Sequence, residues 1–355
     1  MAVPAEQPVP ADIMMHYGLF SMARDLGSSL YEVLISLCCT VGCTITTVEV
    51  GERKLKVVRQ LAEGGFSYVY LVEAQGKQYA LKKVLAQLPE QCELARWEIT
   101  IHKAFDHPHL MPLIDHAAVR LPNGAEEFRL LMPLFPSGTL LDRAMALKDA
   151  GRRMGEKEAL RIFAQLLDGV RQFHDHSPRW SHRDIKPANV LLGEGDSPVL
   201  MDFGSAAPAR KQINSRTEAL LLQEDAAQNC SMPYRAPELF DVPSDAMIDE
   251  RTDVFSLGAT LYAMVWYYSP FECTFQENVQ RIVECTHLGV IGGAQFPAHR
   301  SHSAAFTGLI EWMLTVSPPR PKKQHPPPRL ADVARHNAPV LLLRLIHGNA
   351  RSCPK

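Results

Sequence analysis

The run His182-Arg183-Asp184-Ile185-Lys186-Pro187-Ala188-Asn189, followed thirteen residues after Asn189 by Asp202-Phe203-Gly204, constrains this chain more than any other feature. It places a carboxylate, a cation and a side-chain amide within six positions. Moving a phosphoryl group onto a hydroxyl calls for that set. Asp184 can supply the carboxylate near the attacking oxygen, Lys186 the cation near the transferred group, and Asn189 an oxygen ligand for magnesium. A plain polar turn between strands would not explain why these residue types coincide. Asp-Phe-Gly alone would also read as a turn. Here it ends the apolar run Val199-Leu200-Met201, and its distance from the first motif points to Asp202 as a second magnesium ligand beside the phosphates of ATP.

Upstream, Lys54–Leu61 reads as a strand, and Ala62-Glu63-Gly64-Gly65-Phe66-Ser67-Tyr68-Val69 as a phosphate-covering loop, in which small residues let backbone N–H groups approach phosphate oxygens. By itself that pattern would be an ordinary hairpin. Phe66–Val72 and Gln78–Lys82 are further strands about a Gln75-Gly76-Lys77 turn. Lys82, in Tyr79-Ala80-Leu81-Lys82, is the expected partner of the phosphates. Within the helical stretch Glu93–Phe105, Glu98 is its expected partner, with Glu93 as the fallback. Met132, ahead of Pro133, is the candidate for the residue gating the back of an adenine pocket, the alternative being an ordinary core methionine. The candidate residues around a nucleotide are Leu61, Ala62, Glu63, Gly64, Gly65, Phe66, Ser67, Val69, Ala80, Lys82, Glu98, Met132, Asn189 and Asp202.

Strand patterns dominate before Pro136-Ser137-Gly138 and helical ones after it. Glu156–His174 sets Leu160, Phe163, Leu167, Val170 and Phe173 on one helical face. Two lobes with separate cores follow, an α+β architecture with a hinge near Pro133–Gly138. The expected divisions are an N-terminal extension over 1–50, a catalytic domain over 54–335 (lobes about 54–132 and 137–335) and an irregular tail over 336–355. A net charge of −2 lacks the basic excess of a nucleic-acid binder, so no such partner is expected. The eight cysteines contain no C-x-x-C pair, which speaks against a zinc site or disulfide framework. The uncharged stretch Val33–Val48 is 16 residues long, short of the roughly 20 that a spanning helix needs.

Taken in order, the glycine-rich loop, Lys82, Glu98, His182-Arg183-Asp184, Asp202-Phe203-Gly204, Ala236-Pro237-Glu238 and Asp253 resemble the eukaryotic protein kinase superfamily over about residues 54–316. The resemblance implies a bilobal kinase fold, with a β-rich N-lobe, a helical C-lobe and ATP with Mg2+ in the cleft. Lys186, two residues after Asp184, is similar to the serine/threonine subclass, so serine- and threonine-bearing proteins are the implied substrates. Glu63–Val69, Leu200–Ser205, Tyr234–Phe240 and Ile248–Asp253 are similar to the Numb-associated kinase family, to its acylated members at the Golgi and other membranes, and to plant and algal relatives in particular. The implied location is the cytoplasm, peripheral on such membranes.

Within Ser205–Arg235, Ser215 and Glu218 fit a capping box, with Ala219, Leu222 and Ala226 at helical spacing behind them. The resemblance implies an ordered helix in this activation segment and a substrate-pocket role for Ser231. Arg183 opens control by phosphorylation at Ser205, Ser215, Thr217 or Ser231. An ordered segment offers activity without it. Asp253 is expected to brace the loop around Asp184, and Glu238 to pair with Arg320 or Arg329.

The chain departs from the pattern in places. Ala62 and Ser67 replace loop glycines, and alanine resists positive φ, which implies a stiffer loop. Gly42-Cys43-Thr44-Ile45-Thr46 has the form of a myristoylation signal but stands behind Val41, where that modification cannot occur as written. Cys38, Cys39 and Cys43 remain candidates for palmitoylation and hence for membrane association. The competing reading is a kinase-fold scaffold or adaptor with little catalysis. Its signature would be a missing Lys82, Asp184 or Asp202, and all are present.

Overall fold

The computed structural model describes residues 47–64, 67–276, 279–282, 286, 289–290, 293–297 and 302–315. Gly65 and Phe66, the candidate acylation segment with Gly42, Cys38, Cys39 and Cys43, the arginines Arg320 and Arg329, and the tail lie outside the described residues.

The first lobe runs β1 (Thr47–Val50), β2 (Arg53–Gly64), β3 (Ser67–Ala74), β4 (Lys77–Ala86), α1 (Pro89–Ala104), β5 (Asp115–Arg120) and β6 (Glu126–Pro133). Its six strands form one antiparallel sheet in the order β1-β2-β3-β4-β6-β5. The β3–β4 hairpin turns where expected, on Gln75 and Gly76 with φ of 50° and 72°, the mirror-image turn that suits the strands' twist. Alternation along the strands gives the sheet two apolar faces. On one, Val48, Val50, Leu55, Val72, Leu81 and Leu131 bury together. On the other, Ala95 and Ile99 of α1 cover Ala86, Phe128 and Leu130.

Two expectations are corrected here. Residues 47–50 belong to the sheet rather than to an extension: β1 pairs with β2 from Thr47↔Lys56 to Val50↔Arg53. Arg53 Nη1 and Arg129 Nη1 then tie this hairpin across the lobe, to Asp115 Oδ2 at 2.7 Å and to Glu49 O at 2.9 Å. The helix predicted from Glu93 begins at Pro89, whose missing N–H costs nothing in a first turn.

The second lobe opens with α2 (Leu140–Asp149), capped reciprocally by Thr139 and Asp142, and α3 (Glu156–Asp175). Leu160, Phe163, Val170 and Phe173 of α3 are buried as predicted, joined by Leu166, while Leu167 is only partly covered. Short strands follow: β7 (Trp180–Ser181), β8 (Val190–Leu192), β9 (Pro198–Leu200), β10 (Ala207–Pro208) and β11 (Lys211–Ile213). Then come α4 (Arg216–Asn229), β12 (Ala246–Ile248), α5 (Arg251–Trp266), β13 (Cys273–Gln276), β14 (Val279–Ile282) and α6 (Ala304–Met313). Every residue of α5 from Thr252 to Trp266 is buried, as suits a helix apolar on all sides at the centre of the lobe. Among the described residues, no helix is long and apolar enough to cross a membrane.

Candidate active site

Strand register places the residues expected beside the nucleotide. Val69 pairs with Lys82, and Ala80 pairs with Met132, so all four share the face that looks toward α1 and the second lobe. Leu61, Val69 and Ala80 are half-buried there, and Met132 is buried. The loop expected from Ala62 starts later than predicted. Ala62 pairs with Val69, Glu63 with Tyr68, and Gly64 with Ser67, so β2 and β3 run paired up to residues 65–66. Ala62 lies in extended strand, where alanine carries no penalty relative to glycine.

Lys82 Nζ donates to Glu98 Oε1 at 2.6 Å and lies 3.3 Å from Asp202 Oδ1. Burial works against the ammonium charge, but the carboxylates of Asp202 and Glu98 more than offset it, raising the lysine's pKa. Reciprocally, the Lys82 charge holds Asp202 below the usual carboxylate range. Of the two candidate partners, the helix chooses Glu98. Glu93, five residues earlier, points to solvent, because five residues at 3.6 per turn leave the two side chains on different faces.

Asp184 is buried, and its carboxylate meets three partners. Its Oδ1 accepts from Ser231 N at 2.9 Å, and its Oδ2 lies 2.9 Å from Lys186 Nζ and accepts from Asn189 Nδ2 at 3.0 Å. Lys186 Nζ also donates to Ser231 Oγ at 2.6 Å. Asn189 directs a second Nδ2 bond to Asp184 O at 2.8 Å, so what its amide has left to offer is a carbonyl oxygen. That oxygen and the half-exposed Asp202 carboxylate are hard donors of the kind magnesium takes. Among the described residues no group of three or more His, Cys, Asp or Glu side chains is placed to hold a metal. Magnesium suits so sparse a protein set, because it keeps waters and takes substrate phosphate oxygens. The residues present therefore fit the ion.

The backbone around these groups is held from below. Asp253, wholly buried, accepts from His182 N on Oδ2 and from Arg183 N on Oδ1, each at 2.8 Å. His174 Nε2 meets the same Oδ2 at 2.9 Å. Burial would raise the Asp253 pKa, but the His174 hydrogen bond leads a set of interactions that hold it low. The Asp184 N–H points at His182 Nδ1 (3.3 Å), which assigns the ring proton to Nε2, 3.2 Å from Met201 O. Burial also depresses His182 and favours this neutral form. Arg183 and Asp202 both adopt positive φ, 72° and 66°, strain that the bracing sustains beside the site.

Ser215 caps α4 as predicted, its hydroxyl accepting from Glu218 N at 3.2 Å, while Glu218 Oε2 takes the N–H of Asn214 rather than that of Ser215. Ala219, Leu222 and Ala226 are buried against Ile213, Leu239, Val242 and Ile248. The arginine expected beside Glu238 lies outside the described residues. Among those described, Arg251 supplies an opposing positive charge, and burial raises the Glu238 carboxyl. Three contributors escaped the sequence reading: His174, which anchors Asp253; Asp225, which pairs with Arg183; and Trp97, whose indole N–H donates to Ala206 O at 2.9 Å. Each looks locally like an ordinary helix residue.

With this geometry in hand, the chain belongs to the protein kinase domain family, whose sequence model matches residues 55–322. Within that class it is a serine/threonine protein kinase. It is 39% identical over 278 residues to serine/threonine-protein kinase 16 of Rattus norvegicus, covering 78% of this chain and 88% of the relative. The human protein of that name is 38% identical over the same shares. A probable serine/threonine-protein kinase of Dictyostelium discoideum is 36% identical, covering 82% of this chain and 94% of its own length.

Proposed function

We propose that ATP with Mg2+ occupies the cleft between the lobes and that Asp184, Lys186 and Lys82 carry the transfer of its γ-phosphoryl group to a protein hydroxyl. The observation that carries this reading is the convergence of Lys82, Glu98 and Asp202 from three separate elements at 2.6 Å and 3.3 Å. Lys82, held charged by two carboxylates, binds phosphate oxygens and fixes their position. Asp184 accepts the proton of the serine or threonine hydroxyl as that oxygen bonds to phosphorus and the bond to ADP breaks. Lys186 sets a positive charge beside the oxygens of the group in transit. Asn189 and Asp202 would hold the magnesium, which when bound neutralises phosphate charge. The scaffold reading has no missing side chain to support it.

The geometry also favours activity without phosphorylation of the activation segment. Arg183, where a phosphate would dock, donates to the carboxylate of Asp225 on α4. A charge that phosphorylation would otherwise add is already provided by the chain.

At a finer level, Glu63–Val69, Leu200–Ser205, Tyr234–Phe240 and Ile248–Asp253 support placing this enzyme among the Numb-associated kinases, and among their acylated, membrane-trafficking members. Cys38, Cys39 and Cys43 would then carry palmitoyl chains. Fractionation with all three changed to serine tests this, and unchanged membrane binding would remove the proposal.

The catalytic reading is tested by phosphate transfer from ATP and Mg2+ to a generic basic protein, beside Asp184→Asn. Transfer to serine and threonine that disappears in the variant supports it. Equal transfer by the variant would remove Asp184 from the role of base.

A further inference from the structure

We propose that Trp97 is a positioning residue for phosphoryl transfer: it latches α1, and with it Glu98, onto the segment that carries Asp202. The inference rests on the role given above to the Lys82–Glu98 pair. Trp97 precedes Glu98 directly, so the two side chains leave the helix about 100° apart. Glu98 reaches toward Lys82, and Trp97 reaches toward the second lobe. Its Nε1–H donates to Ala206 O at 2.9 Å, two residues past Gly204. Ala206 is itself buried and closes the turn that begins at Phe203, its N–H donating to Phe203 O at 3.0 Å.

The same indole packs on Trp180, ring centroids 5.0 Å apart and planes 36° from parallel. Trp180 lies in β7, immediately before Ser181 and His182, and pairs with Pro208 of β10. One side chain on α1 thus touches both the strand that enters the loop bearing Asp184 and the chain that leaves Asp202-Phe203-Gly204.

The contact continues along the interface. His176 sets an edge on Trp180 at 6.4 Å. Phe105, the residue that ends α1, sets an edge on His176 at 5.3 Å and stacks on Phe173 of α3 at 4.3 Å. The helix is therefore pinned to the second lobe at its end by Phe105 and in its middle by Trp97. Phe105 fixes where the helix ends, and the Trp97 bond fixes its rotation. Rotation decides whether Glu98 meets Lys82, since a small turn about the helix axis swings a carboxylate far from an ammonium 2.6 Å away.

The experiment is a double-mutant cycle in the full chain with Trp97→Phe and Glu98→Gln, read as kcat/KM for ATP, with melting temperature followed in parallel. Trp97→Phe keeps an aromatic ring against Trp180 and removes the donor. The expected loss is roughly three- to tenfold, the worth of one neutral hydrogen bond. In the Glu98→Gln background the same change should cost nothing further, because the residue acts through Glu98. If the two losses multiply, Trp97 acts independently and the latch is overturned. If Trp97→Phe is silent while Glu98→Gln is damaging, the latch alone fails and the Lys82–Glu98 reading stands. If Glu98→Gln is silent, both fail together. Should Trp97→Phe melt below the assay temperature, Trp180→Phe, which thins the ring contact from the other side and leaves α1 unchanged, takes its place in the cycle with the same expected non-additivity.

Discussion

Arg183 and Asp225 form an ion pair between the loop that bears Asp184 and the helix of the activation segment. Asn229 steadies the arrangement by donating Nδ2 to Asp225 Oδ1 at 2.8 Å. Arg183 is mostly buried at 13% side-chain exposure, whereas Asp225 is 41% exposed, so the pair adds little to global stability, about 1 kcal/mol or less. Its effect is local: it holds α4 against a residue in strained backbone. Asp225→Asn should therefore lower kcat several-fold with a small change in melting temperature. Phosphatase treatment of the wild-type enzyme should leave its rate unchanged. A large fall on dephosphorylation would show that a phosphate, and not Asp225, serves Arg183.

Ser231 joins Asp184 to Lys186, since its N–H binds Asp184 Oδ1 while its hydroxyl accepts from Lys186. Ser231→Ala keeps the first bond and loses the second. A hydrogen bond to a charged group contributes about 1.5–3 kcal/mol when water cannot replace it. Lys186 is 25% exposed, so the loss should be about tenfold in kcat/KM at most. Ser231→Thr should retain most activity. An unchanged rate in Ser231→Ala would show that the hydroxyl bond to Lys186 does not matter to the reaction.

The parts of this enzyme legible in the sequence were those carried by short local patterns. Ser215, Ala219, Leu222 and Ala226 announce α4 because a cap and a 3.6-residue period need only one helix to be recognised. Asp184, Lys186, Asn189 and Asp202 stand out as candidates because phosphoryl transfer calls for their residue types at such spacing. β1 was not legible. Its four residues, exposed and buried in alternation, are too few to display a period, and it joins a stretch without charge. Ala62 was misjudged because whether it sits in a loop or a strand depends on its partner Val69 across the hairpin. Trp97, His174 and Asp225 were missed for a shared reason: each acts through a partner 42 to 109 residues away, which no local window contains.

Gly169 offers a test of packing between α3 and the loop that joins α1 to β5. A Cβ there would lie 2.9 Å from the backbone oxygen of His109, which is already held by Leu200 N at 2.9 Å. Because the obstructing atom is backbone, the helix or the loop must shift. Helix propensity favours alanine by about 1 kcal/mol, and overpacking of this kind costs typically 1–3 kcal/mol. Gly169→Ala should therefore lower stability by up to about 2 kcal/mol in chemical denaturation. A stabilised variant would mean that the loop gives way freely.

His102 makes stability depend on pH in a definite direction. It lies on α1 one turn past Glu98, ring to ring with Phe203 at 4.4 Å, with Nδ1 3.0 Å from Met111 O. Glu98 Oε1 is 3.9 Å from its Nε2, and the charges of Lys82, Asp202 and His182 also bear on it. Burial leads the balance and lowers its pKa from 6.5 to about 4. Between those values the unfolded chain binds a proton at this residue and the folded chain does not, so acidification favours unfolding. The contribution is complete above pH 6.5, declines as pH falls toward 4 and is level below that. In size it amounts to about 3 kcal/mol. His182, depressed in the same direction, adds to the slope in both wild type and variant. His102→Met keeps an unbranched apolar chain against Phe203 and removes the titration. Losing the bond to Met111 O should lower its melting temperature at pH 8. Between pH 6.5 and 4 its melting temperature should fall less steeply than that of the wild type. Parallel curves would show that His102 takes up its proton in the folded core as readily as it does in the unfolded chain.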